Sequence, residues 1–194
     1  MERLKARLAS GNEHKLRELR RVLPRWELEL LNASHFPPEE GASYYANARA
    51  KARFGRSVAE PAVWVLGEDS GVEVDGLAGA PGLHSARWAG ETDPVDKLLD
   101  ELGALDGDAR RARYVCELVC LSPQGEEFRG TGVLDGEIAR ERRGTEGFGY
   151  DPVFVPTGES RTVAELGNDW KSRNSHRARA ARALVESLRG GQAD

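Results

Sequence analysis

The stretch Ala62-Val63-Trp64-Val65-Leu66-Gly67-Glu68-Asp69-Ser70-Gly71-Val72-Glu73-Val74-Asp75 decides how this chain folds. An apolar run from Ala62 to Leu66 leads into two adjacent carboxylates and then a Ser-Gly pair. The pattern predicts a buried strand that ends in acids at a tight turn, followed by a short strand carrying Val72 and Val74. Acids at the end of a sheet strand stand where α/β proteins place ligands. Their oxygens are the ligand type that magnesium prefers. Gly, Asp and Ser are also the common turn residues, so an ordinary turn after a strand reads equally well from this segment alone.

Outward from it, helices and strands interleave. Leu4 to Ala9 reads as a first strand, and Lys5 and Arg7 within it, with Arg3 just before, make it basic enough to suggest a frayed or edge position. Glu13 to Leu23 is a helix with Leu16, Leu19, Val22 and Leu23 on one face and Pro24 after it. Trp26 to Leu31 alternates as a strand, and His35 to Ala42 is a loop. Ser43 caps a helix running to about Ala59. Pro94 to Leu102 is a helix with proline in its first turn. Ala112 to Leu121 and Glu126 to Val133 form a hairpin around Ser122-Pro123-Gln124-Gly125. Gly136 to Arg140 and Val153 to Val155 are further strands. Ser175 caps a last helix that buries Ala181, Leu184, Val185 and Leu188. The hairpin breaks a pure βαβ rhythm, so the expected class is α/β with a mixed, twisted sheet flanked by helices.

The net charge is −4 over 194 residues, which gives no bulk attraction to nucleic acid. No apolar run reaches membrane-spanning length, and the first residues lack an apolar signal core, so no membrane partner and a cytoplasmic location are expected. Cys116 and Cys120 fall on one face of a strand, too far apart to be joined, and read as buried reduced thiols.

Three further segments carry chemistry. Ser10-Gly11-Asn12-Glu13-His14-Lys15 joins a strand to a helix N-terminus, where backbone N–H groups and the helix dipole attract anions. Lys15 adds a full charge. Capping alone also explains Ser10 and Asn12. Gly147-Phe148-Gly149-Tyr150-Asp151-Pro152 offers aromatic faces for a flat base and a carboxylate for ring N–H groups. Lys171-Ser172-Arg173-Asn174-Ser175-His176-Arg177 places basic groups at the mouth of the last helix. No Ser/His/Asp arrangement is readable, and Ser70 lacks the setting of a hydrolase nucleophile. His14, His35 and His84 read as solvent-facing, loop and packing residues.

In order along nearly the whole chain, Ser10-Gly-Asn-x-x-Lys15, Glu39-x-Gly41-x-Ser43-Tyr44-x-x-Asn47-Ala48-x-x-Lys51, Asp69-Ser70-Gly71 through Ala80-Pro81-Gly82 to Ser85-Ala86-Arg87, Phe148-Gly149-Tyr150-Asp151-Pro152 and Lys171-x-x-x-Ser175-His176-Arg177 resemble the inosine triphosphate pyrophosphatase family. The resemblance implies one catalytic domain over residues 1–194 with two lobes and an active-site cleft between them. It implies hydrolysis of ITP, dITP and XTP to a monophosphate and pyrophosphate, a divalent metal, normally Mg2+, and a homodimer. Carried over by position, Asp69 would accept the proton of water, and Glu39, Glu68 and Asp69 would hold the metal. Ser10, Gly11, Asn12, Glu13, His14, Lys15, Lys51 and Ser70 would hold the triphosphate. Phe148, Gly149, Tyr150, Asp151, Lys171, His176 and Arg177 would hold the base. The chain departs from the family pattern at Glu68, where Asp is usual, at Ala46, where Glu is common, and in its basic first strand. Two alternatives stand beside this reading: a related pyrophosphatase for other modified nucleotides, and a non-catalytic nucleotide sensor.

Overall fold

A computed structural model describes residues 3–190. Its elements in chain order are β1 (Leu4–Leu8), α1 (Glu13–Val22), β2 (Trp26–Leu30), α2 (Tyr44–Val58), β3 (Trp64–Val74), α3 (Pro94–Leu102), β4 (Arg111–Leu121), β5 (Glu127–Ile138), β6 (Phe154–Pro156), α4 (Val163–Asn174) and α5 (His176–Gly190). The strands form one six-stranded sheet in the order β2-β1-β3-β4-β5-β6. β1 is parallel to β2 and β3, whereas β5 and β6 are antiparallel, so the sheet is mixed as expected. No helix among the described residues is long and apolar enough to cross a membrane.

Several caps are those the sequence predicts. The Asn12 side chain accepts from the backbone N–H groups of His14 and Lys15 and opens α1. Glu13 in its first turn and Arg20 and Arg21 in its last complement the helix dipole. Ser43 caps α2 through the N–H of Ala46.

Four expectations are corrected. β3 is one continuous strand of 11 residues, so Gly67 to Gly71 is strand and not turn. β5 likewise runs unbroken to Ile138 and absorbs the separate strand expected from Gly136. β1 is neither frayed nor at an edge; it lies between β2 and β1's other neighbour, β3. Ala6 and Leu8 bury one side of it, while Arg7 is neutralised by Glu29 and Glu60, which makes a basic interior strand tolerable. Finally, α4 was absent from the sequence reading. Ser175, expected to cap the last helix, does stand directly before α5, as the single extended residue between α4 and α5. The missed signal is the capping box of Thr162 and Glu165; Gly167, at φ 82°, interrupts the helical period behind it.

By contacts the described chain forms two compact units. One holds the residues up to Asp69, Cys116–Gly132 and those from His176 onward; the other holds Ser70–Val115 and Val133–Ser175. The first unit packs Leu8, Leu16, Leu19, Leu66, Cys116, Leu118, Cys120 and Leu184 into its main core. Both cysteines are buried and unpaired, as expected. The second has its own core around Val72, Val74, Leu98, Leu102, Tyr114, Ile138 and Phe154.

In the first unit, α2 presses against β3 at Gly67. A Cβ there would lie 2.0 Å from the Ala48 carbonyl oxygen and 2.6 Å from the Ala52 nitrogen. Backbone atoms cannot yield as a flexible side chain would. Gly67→Ala is therefore expected to lower the unfolding free energy by about 1–3 kcal/mol through overpacking. Urea denaturation of both proteins measures it, and an unchanged midpoint would refute the close approach.

Candidate active site

Because β3 runs straight through Glu68 and Asp69, its alternation sends the two side chains to opposite faces of the sheet. The neighbours of each confirm this. Asp69 faces α2: Lys51 Nζ donates to its Oδ1 at 3.0 Å, and Asn47 Nδ2 donates to its Oδ2 at 3.0 Å. Lys51 also donates to Glu39 and, at 3.0 Å, to the Glu68 carbonyl oxygen. Asn47 is fixed in turn by the Gly41 N–H, which donates to its Oδ1 at 2.7 Å. Gly41 has no room for a side chain there, since a Cβ would sit 2.6 Å from that oxygen.

Asp69 is only 3 % exposed. Burial lifts its pKa above the ordinary aspartate value and the charge of Glu39 adds to the rise, against the pull of Lys51 and Asn47. Burial alone would discharge Lys51, but Asp69, Glu68 and Glu39 hold its pKa above the usual lysine value. The result is a lysine firmly charged beside a carboxylate made more basic than usual.

Glu68 faces α1 and α5 and is 0 % exposed. Arg177 donates to its Oε1 through Nε at 3.2 Å and Nη2 at 2.9 Å. Its Oε2 lies 2.5 Å from Lys15 Nζ. Burial opposes its charge, yet Lys15, Arg177 and Lys51 hold its carboxyl well below the usual glutamate range. Arg177, itself 2 % exposed, also pairs with Glu18 of α1. Glu18 and Asn47 are the functional neighbours that were not singled out as site residues. Glu18 was legible one turn after Lys15 on the same helix face.

The phosphate-loop candidates lie at the start of α1. Ser10 Oγ accepts from the Asn12 N–H at 3.1 Å, and Asn12 caps the helix. Gly11, Glu13 and His14 are exposed, with His14 Nδ1 2.9 Å from an Arg17 nitrogen. His176 is buried at the first turn of α5.

Within the second unit, the aromatic loop is organised around Asp151. The Phe148 N–H donates to Asp151 Oδ2 at 2.8 Å, Lys171 Nζ donates to the same oxygen at 2.5 Å, and Tyr114 donates to Oδ1 at 3.3 Å. Gly147, at φ 82°, lets the loop close on that carboxylate; a Cβ would lie 2.1 Å from Oδ2. Asp151 therefore shapes the loop, where the sequence suggested it would meet ring N–H groups. Lys171 Nζ also sits 4.8 Å over the Phe148 ring centre. Gly149 is exposed, and Tyr150 is buried with its hydroxyl on the Ser85 carbonyl at 3.1 Å. Ser70 is the half-buried first residue of this unit.

For a divalent metal, the fit is to Glu39 and Asp69. Both present a carboxylate oxygen to one ammonium group, and a hard cation would suit the same pair. Magnesium is commonly held by one or two carboxylates, with water and substrate phosphate completing the shell. Among the described residues no cluster of three or more His, Cys, Asp or Glu forms a cage. Glu68, the third carboxylate expected at the metal, meets Lys15 and Arg177 on the opposite face of β3.

Known proteins resemble this chain along nearly its whole length. A sequence model of the Ham1 family matches residues 6–187. The dITP/XTP pyrophosphatase of Bdellovibrio bacteriovorus is 44% identical over 191 residues, covering 93% of this chain and 96% of that protein. The dITP/XTP pyrophosphatase of Thermus thermophilus is 39% identical over 196 residues, covering 97% and 93%. Among solved structures, the Staphylococcus aureus Ham1 protein superposes with a TM-score of 0.82 at 33% identity, covering 96% of this chain and 99% of its own.

Proposed function

The chain belongs to the Ham1 family, and on that premise we propose that it hydrolyses ITP, dITP and XTP to the monophosphate and pyrophosphate, as one catalytic domain. The observation that carries this reading is the Asp69 carboxylate, buried between Lys51 and Asn47 with Glu39 on the same lysine. A water placed against Asp69 would attack the α-phosphorus. The α–β bridging bond breaks, pyrophosphate leaves, and the water proton passes to an Asp69 oxygen. Lys51, and Lys15 at the α1 N-terminus, neutralise the phosphate oxygens. Mg2+ held by Glu39 and Asp69 would supply further charge neutralisation and acidify water. Magnesium as the metal, a homodimeric state and a cytoplasmic location belong to the same reading and are supported by the family resemblance.

For the base, Phe148 offers a flat face, and Gly149, Tyr150 and Asp151 fix the loop that carries it. Lys171, His176 and Arg177 supply donors. The 6-oxo group of hypoxanthine or xanthine is an acceptor, whereas the 6-amino group of adenine is a donor. A buried arginine thus favours the oxo purines over ATP.

Pyrophosphate release across ITP, dITP, XTP, GTP and ATP with magnesium tests the reading. The three non-standard nucleotides are expected to turn over and ATP to lag well behind. Orthophosphate as the first product would place the broken bond elsewhere.

The raised pKa of Asp69 adds a pH expectation. A proton acceptor must be ionised, so activity is lost as pH falls through its folded pKa. Without metal the Asp69 carboxyl should therefore titrate above the ordinary aspartate value of about 3.9, and added Mg2+ should draw the acid limb of activity downward. Activity should climb toward alkaline pH, where Glu39 and Asp69 stay ionised and a metal they would hold would ease loss of the water proton. A profile peaking in acid at saturating metal would contradict Asp69 as the base.

A further inference from the structure

We infer that Glu68 is a positioning residue, the one buried anion that fixes both Lys15 and Arg177, and that it is not a ligand of the metal. The inference rests on the reading above, in which Lys15 meets phosphate and Arg177 meets the base. Its ground is the strand geometry. Glu68 and Asp69 are consecutive on β3, so they cannot both point into a site on the α2 side. Glu39, Lys51 and Asn47 gather around Asp69. Glu68 meets a different set: Lys15 from α1, Arg177 from α5 and the Cys116 thiol from β4, whose Sγ donates at 3.6 Å.

The two oxygens divide the work. Oε1 takes two donors of one guanidinium, a fixed planar arrangement that sets the plane of Arg177. Oε2 takes Lys15. Glutamate in place of the aspartate usual in the resemblance gives this carboxylate one more methylene of reach, which serves to span from α1 to α5. With no exposed surface, Glu68 would have to give up both cations before it could turn to a metal ion. Such a buried anion stripped of its partners is strongly disfavoured.

The test separates metal ligation from positioning. Mn2+ binding without nucleotide is measured by the loss of its free-ion EPR signal, in the parent, Glu39→Gln, Asp69→Asn and the charge-balanced pair Lys15→Gln/Glu68→Gln. In that pair Arg177 keeps Glu18, so the variant is expected to fold even if Glu68→Gln alone does not. Loss of a ligand should weaken Mn2+ by about 10-fold or more, while the balanced pair should stay within about 3-fold of the parent. A loss in the balanced pair as large as in Glu39→Gln overturns the inference.

The second readout is the ITP-to-ATP ratio of kcat/KM. Glu68→Gln should lower it about as far as Arg177→Ala does, with no further fall when the two are combined, because the residues act as one unit. If Arg177→Ala lowers the ratio and Glu68→Gln does not, Glu68 is no anchor. If Arg177→Ala itself leaves the ratio unchanged, the base reading fails and not the anchor. A urea-unfolding cycle of Glu68→Gln and Arg177→Gln then decides. Coupling of about 10-fold or more in the unfolding constant supports the anchor, and additive effects overturn it.

Discussion

Asp69→Asn is expected to lower turnover of ITP by about 10²–10⁴-fold, the contribution of a positioned proton acceptor. The asparagine keeps the shape but has no basic oxygen to take a proton. It also disturbs its neighbours in a definite way. Both Asp69 oxygens accept from donors, Lys51 on one side and Asn47 on the other. An amide must turn its NH2 toward one of them. Asn47 cannot simply flip to offer its oxygen, because that oxygen already accepts the Gly41 N–H. A buried donor facing a donor costs about 1–3 kcal/mol, so a modest loss of stability should accompany the large loss of rate. Pyrophosphate release and urea unfolding on the same preparation measure both. Turnover above about a tenth of the parent's would show that Asp69 is not the base.

Arg177→Met should give the largest loss of stability. It leaves Glu68, with 0 % exposure, and the partly buried Glu18 without their shared guanidinium. Breaking a buried pair by deleting one partner typically costs about 3–5 kcal/mol. Arg179→Met, two residues along and exposed, should stay within about 0.5 kcal/mol of the parent. The effect has a sign in pH. The folded pKa of Glu68 is depressed, so its contribution is fully present above the unfolded glutamate value of about 4.3 and is lost only as pH falls toward the lower folded value. In Arg177→Met that pKa must rise, so the gap between parent and variant should be widest near neutrality and narrow in acid. Denaturation at pH 7 and pH 4 provides the comparison, and a gap that widens in acid would reverse the assignment.

The order of elements was legible because local signals agreed. Asn12 and Ser43 stand before amphipathic runs, Pro94 opens α3, and two β-rich runs flank Ser122 to Gly125. What failed was the reading of Gly67 to Gly71. Glycine, acids and serine are turn residues by composition, but a strand accepts them when its neighbours supply partners. Here Gly67 makes room for α2 and both acids meet cations. Those partners come from helices distant in sequence, so no local pattern announces them. The difference bears on the site. A turn allows two adjacent carboxylates to converge, whereas a strand separates them. Asp151 shows a similar limit: its type says acceptor, and only the packing of Phe148, Lys171 and Tyr114 shows the donors it meets within the chain.

The pairing of Glu68 with Arg177 also sets a timetable for biosynthesis. The two residues lie 109 positions apart. At about 5–20 residues per second, a ribosome takes roughly 5–20 s to travel between them. During that interval the nascent chain holds Glu18 and Glu68 without their arginine and lacks Ala180, Ala181 and Leu184 for the core. The core of the unit that carries Asp69 is thus complete only once the last helix has emerged. A chain halted before Arg177 has every group around Asp69, yet Glu68 holds only Lys15 of its two paired cations and Glu18 lacks its arginine.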